Sequence, residues 1–149
     1  MESDRRSISE IGEKRLIAEY LRPLLNPSSN PRSVGDDCAL AEIPHGHVTC
    51  VSTDRVPADL TAFRLKIMNH FDLGHYLAIL NISDIAAAGG TPCALLLNLG
   101  LPLDFPLGDL IDIVRGAKAA ADNFDTPILG GDLSAANEIS LVATAVGHV

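Results

Sequence analysis

Residues 81–90 read Asn-Ile-Ser-Asp-Ile-Ala-Ala-Ala-Gly-Gly, and they close a long apolar run that begins near Asp72. Leu73, Leu77, Ile79, Leu80, Ile82 and Ile85 place apolar groups on nearly every side of a helix. That pattern predicts a buried helix rather than a surface amphipathic one. Asn81 and Asp84 interrupt it three residues apart, and therefore on one face. A carboxylate in apolar surroundings is costly unless it is ion-paired, hydrogen-bonded or bound to a metal. A fold that accepts this helix must supply partners for both polar side chains. Isolated acids elsewhere in the chain then become candidates for a shared divalent-cation site.

The flanking segments alternate between helix and strand. Ser9, Glu10 and Glu13 lead into Ile11, Leu16, Ile17, Tyr20, Leu21 and Leu24, which predicts an amphipathic helix of about fifteen residues with acids in its first turn. Pro27 to Pro31 is a loop, and Gly35-Asp36-Asp37 is a turn. His45-Gly46-His47 is a second turn, read as solvated because no further metal ligand stands beside it. Residues 47–54 form a β-branched strand that ends in Ser52, Thr53 and Asp54, all hard oxygen donors. A short helix is expected over 61–68. Asn69 or Asp72 caps the long helix, Gly89-Gly90 ends it, and Pro92 bars its continuation.

Residues 93–101 are continuously apolar, which suits a strand covered on both faces. From Pro106 to about Asp125, Leu107, Leu110, Val114, Ala117 and Ala121 recur at helical spacing. Residues 127–132 are a short strand running into a Gly130-Gly131-Asp132 turn, where glycine lets backbone approach a ligand closely. Residues 139–149 are a last strand. This strand and the run at 93–101 are expected to present edges that pair between subunits. The order implies a mixed α/β (α+β) architecture in one domain over residues 1–149, with a mixed sheet and helices packed on it.

Composition narrows the function. A chain of 149 residues can bury a real core, and with 47% hydrophobic but only 4% aromatic residues that core must be Ala, Leu, Ile and Val. The net charge of −8 argues against nucleic acid and against an anionic membrane surface. A phosphorylated small molecule stays compatible if metal cations carry the positive charge. Cys38, Cys50 and Cys93 show no C-x-x-C spacing and are expected to be reduced thiols in a cytoplasmic protein. No apolar stretch reaches the length of a membrane span, and the N-terminus has no signal-peptide core. A Walker A loop, a nucleophile elbow and the protein-kinase signatures are all absent from the sequence.

Four acidic stretches remain: Asp36-Asp37, Asp54, Asp84 and Asp132. Their intervals are too long for a short-loop metal site such as an EF-hand. Taken in order, Gly-Asp-Asp-Cys-Ala-Leu at 35–40, Ser52-Thr53-Asp54, the 81–90 stretch and Gly130-Gly131-Asp132 resemble the thiamine-monophosphate kinases. These belong to the aminoimidazole-ribonucleotide-synthetase-like ATP-binding superfamily. The resemblance spans residues 35–149.

It implies the N-terminal domain of a two-domain chain, whose N-terminal sheets pair in a homodimer with nucleotide near the interface. It implies ATP- and magnesium-dependent phosphoryl transfer to thiamine monophosphate, giving thiamine diphosphate. Carried over residue by residue, it implies Mg2+ at Asp37, Ser52, Thr53, Asp54, Asp84 and Asp132, and ATP contacts at Gly131 and Asp132. Asp36 is left either to support the metal ligands from behind or to shape the turn. The physics is consistent: phosphoryl transfer needs positioning and charge neutralisation, and Lys14, Lys66 and Lys118 are the only lysines. A phosphate acceptor is already anionic near neutral pH, its second pKa being about 6, so no general base is required.

Two departures bear on the acceptor. The family's loop after Ser-Thr-Asp reads Gly-x-His-Phe, with the His on the substrate, whereas residues 55–63 read Arg-Val-Pro-Ala-Asp-Leu-Thr-Ala-Phe and hold no His. Leu133 stands where Thr follows the Gly-Gly-Asp. The alternative expectations are another enzyme of the superfamily with a different acceptor, such as a purine-biosynthesis synthetase or a hydrogenase-maturation protein, or a non-catalytic dimerising module with solvated acidic turns.

Overall fold

The computed structural model describes residues 6–25 and 40–149. In chain order the elements are α1 (Ile8–Ile11), α2 (Glu13–Leu16), a π-helical turn (Ile17–Leu21), α3 (Arg22–Leu25), β1 (Thr49–Arg55), α4 (Thr61–Arg64) and α5 (His70–Ala87). Then follow β2 (Thr91–Leu101), α6 (Leu107–Asp122), β3 (Ile128–Ala135) and β4 (Ser140–His148). The N-terminal helix expected as one piece is broken. Ser7 caps α1 in a reciprocal box with Glu10, and Gly12 at φ +78 interrupts the helical backbone directly after it.

The strands form one sheet in the order β1-β4-β2-β3. β4 runs antiparallel to both β1 and β2, while β2 and β3 are parallel and joined by the crossover helix α6. The expectation that β4 and β2 offer free edges is therefore corrected. Each is interior, paired on both sides, and among the described residues the edges are β1 and β3. A second correction concerns Gly130-Gly131-Asp132, which lies inside β3 rather than in a turn, because pairing with β2 continues to Ala135.

α5 and α6 cover one face of the sheet. Leu95, Leu97 and Leu99 of β2 and Leu141, Ala143 and Ala145 of β4 are buried beneath them. The alanines let the helix layer sit close. The helices themselves meet backbone to backbone: a Cβ on Gly74 would stand 1.8 Å from the Ile113 carbonyl oxygen, and one on Gly116 would stand 1.9 Å from that of Phe71. A capping box starts α5: of the two candidate caps Asn69 is the N-cap, and Asp72 is its reciprocal partner three residues on.

The opposite face of the sheet is open among the described residues. Val51, Thr53, Arg55 and Asn98 are exposed there, with Leu96, Val142, Thr144 and Val146 half-buried. Among the described residues β2 is thus covered on one face, not two. α5 likewise is not buried all round, since Ser83, Asp84, Ala86 and Ala87 are exposed. No helix among the described residues is long and apolar enough to cross a membrane.

Candidate functional site

The site is built where α5 runs beside the outer edge of β1. Edge strands leave alternate backbone N–H and C=O groups unpaired. At Asp54 those groups meet Asn81, whose side chain is 0% exposed. The Asp54 N–H donates to Asn81 Oδ1 at 2.8 Å, while Asn81 Nδ2 donates to the Asp54 carbonyl at 3.4 Å and to the Leu77 carbonyl at 3.0 Å. The carboxamide acts as a missing neighbouring strand, and every one of its strong hydrogen-bonding atoms is used.

One helical turn further on, Ser52 Oγ donates to Asp84 Oδ2 at 2.6 Å. That length is typical of a hydroxyl bonded to a carboxylate. The two contacts hold the end of β1 on α5 at two points. They leave Asp84, an exposed residue, with no partner for its other oxygen among the described residues. Asp54 is exposed as well, and its Oδ1 accepts from the Arg55 N–H at 2.7 Å. Asp84 is therefore not the costly buried carboxylate that its apolar neighbours suggest; Asn81 is the buried polar group.

The remaining sequence-derived candidates are dispersed. Thr53 alternates to the open face, where it donates to the Ala143 carbonyl at 2.9 Å and accepts from Thr144 at 3.2 Å. The cross-sheet register runs Asp54–Ala143–Leu97–Gly131, so Gly131 shares a rung with Asp54 at the far edge. Three strand spacings put these positions about 14 Å apart. Asp132 follows on the next rung, opposite Asn98, and is exposed. Asp36, Asp37 and Cys38 lie outside the described residues. Among those described, no group of three or more His, Cys, Asp and Glu side chains is gathered as for a metal ion. Ser52, Asp54 and Asp84 nonetheless suit magnesium, which takes hard oxygen ligands and commonly uses one or two carboxylates with water and phosphate.

Two cavities flank this arrangement. One, of 370 Å³, opens at the end of β1 among Val56, Leu60, Phe63, Leu73 and Ile139, with Glu138 as its charged member. The other, of 670 Å³, lies between the N-terminal helices and β3, and Gly131 and Asp132 line it. Sequence reasoning found no site within residues 55–71, yet Phe63 and Phe105 both make edge contacts with His70, at 5.2 and 5.5 Å. His70 Nδ1 is also 3.3 Å from Asp109 Oδ1. Of these residues only Phe63 falls in the 55–63 stretch compared with the family loop. Cys50 and Cys93 are free and half-buried. Desolvation, followed by the neighbouring Cys50, pushes the Cys93 thiol up, which disfavours the thiolate needed for metal binding or attack.

The AIR synthase related protein, N-terminal domain, family matches residues 35–149. A thiamine-monophosphate kinase of Synechococcus elongatus is 36% identical over 144 residues, which are 97% of this chain and 42% of that protein. Thiamine-monophosphate kinase from Stenotrophomonas maltophilia K279a has a similar structure, with a TM-score of 0.71 at 28% identity over 89% of this chain and 43% of that one. AaThiL complexed with AMPPCP and TMP gives a TM-score of 0.63 at 25% identity over 94% and 43% of the two chains. The chain spans less than half the length of these relatives. The matched segment takes in all the acidic stretches singled out above, and this chain belongs to the AIR synthase related family as its N-terminal domain.

Proposed function

We propose that in the intact protein this domain binds Mg2+ and ATP and supports phosphoryl transfer to thiamine monophosphate, giving thiamine diphosphate. The observation that carries the reading is the Ser52–Asp84 contact, which sets the Ser-Thr-Asp strand end against the Asn-Ile-Ser-Asp helix. The thiamine-monophosphate kinase relatives and the AaThiL structure with AMPPCP and TMP support it. Ser52, Asp54 and Asp84 would hold Mg2+, with Asp37 and Asp132 as further carboxylates, and the metal supplies neutralisation of triphosphate charge. The chain's own part is positioning. Asn81 fixes the height of β1 against α5, and Ser52 orients the Asp84 carboxylate. Gly131 brings backbone to the nucleotide.

The same reading includes a cytoplasmic homodimer, a second copy covering the open sheet face. A second reading concerns the acceptor. The loop at 55–63 holds no His, and Phe63 packs on His70 instead, which favours an acceptor other than thiamine monophosphate. Incubating the intact protein with Mg2+, ATP and thiamine monophosphate separates the two. Thiamine diphosphate appears under the first reading and is absent under the second, which still requires ATP to bind. Absence of Mg·ATP binding sinks both and leaves a dimerising module with solvated acids.

A further inference from the structure

We infer that Lys14 and Arg22, from the N-terminal helical run, are phosphate-binding cations of the nucleotide site; this rests on the nucleotide-binding reading above. Both line the 670 Å³ cavity that Gly131 and Asp132 close from the other side. Its volume is in the range of small-molecule sites. Arg15, next to Lys14, is engaged by Glu19 through bonds of 2.9 Å. Lys14 and Arg22, by contrast, make no hydrogen bond or ion pair among the described residues. Charged side chains held at a cavity wall without a partner are available to a ligand.

The backbone between them explains how they share that wall. Eight residues of straight α-helix would leave the two side chains about 80° apart around the axis. The π turn at Ile17–Leu21 lies between them, and its wider winding closes that angle. The same turn places Ile17 and Leu21 on the cavity, an apolar surface for a base beside two cations for phosphates. On the facing side β3 is an edge strand among the described residues, so its outer backbone groups have no ladder partner among them. Gly131, at φ +150, lets the strand lie close against β2 at this point, where a Cβ would meet the Leu97 carbonyl oxygen. Arg22 offers a planar fork and Lys14 a compact charge, both common phosphate ligands.

The test is a calorimetric titration of the intact protein with Mg·ATP, comparing Lys14→Met, Arg22→Met, Lys14→Arg and Arg15→Ala. Each Met variant is expected to bind about 10-fold or more weakly, the usual loss for a charge-assisted hydrogen bond. Lys14→Arg is expected to keep most of the affinity, and Arg15→Ala all of it. All three side chains replaced are exposed, so ligand-free melting temperatures should stay level and mark the variants as folded. Wild-type affinity in both Met variants overturns the assignment while leaving the nucleotide reading intact. No binding by the wild type overturns both.

Discussion

At Asn81 the same side chain solves two problems. A carboxamide inside an apolar helix needs partners, and the exposed edge of β1 needs its backbone groups capped. The pairing across 27 residues of chain answers both. Asn81→Leu keeps the volume but orphans the Asp54 N–H and C=O. It is expected to lower stability by about 2–4 kcal/mol, read from urea denaturation. Asp84→Asn removes a charge at an exposed contact, so stability should change by less than about 1 kcal/mol. Its expected effect is instead loss of the melting-temperature rise that Mg·ATP confers on the wild type. A large stability loss with unchanged nucleotide response would make Asp84 a structural residue. Both residues were legible in the sequence as polar breaks in an apolar run. Their partners were not, because helical periodicity says nothing about which strand lies 27 or 32 positions away in space.

At the scale of elements, periodicity located α5 and α6 within a few residues but was silent on how they meet. Their contact depends on two glycines without signal in the hydrophobic pattern. Gly74→Ala and Gly116→Ala each drive a methyl into backbone that cannot yield as a side chain can, with facing carbonyl oxygens at 1.8 and 1.9 Å. Each should cost about 1–3 kcal/mol or more as the helices separate, and chemical denaturation measures it. β3 shows the opposite failure. Gly-Gly-Asp is a strong local turn signal, yet the parallel ladder with β2 overrides it, and Gly131 joins the strand at φ +150. A Cβ there would lie 1.7 Å from the Leu97 carbonyl oxygen. Gly131→Ala should therefore disrupt the β2–β3 pairing, seen as fast amide exchange in β3 while β1 and β4 stay protected. Uniform protection would show that the strand absorbs the methyl.

For the whole molecule, the open sheet face decides whether one copy is the working unit. α5 and α6 cover one side of the sheet, and no described element covers the other. Val51 is 63% exposed on that side and pairs with Val146 on the neighbouring strand. Leu96 and Val142 extend the apolar surface, and the Thr53–Thr144 bond satisfies the hydroxyls between them. A face of this composition suits burial against a second layer, as sheets do in sandwiches. Neither Val51 nor Val146 touches the Ser52–Asp84 contact, which lies on the helix side. Val51→Arg places a charge where a second copy would exclude water, without cutting a hydrogen bond inside the protomer. Sedimentation equilibrium should find the wild-type protein dimeric and Val51→Arg monomeric. Because association stabilises the folded state by mass action, the wild-type melting temperature should rise with concentration and that of the variant should not. A wild type that sediments as a monomer at tens of micromolar, with a concentration-independent melting temperature, would mean that something other than this chain covers the face.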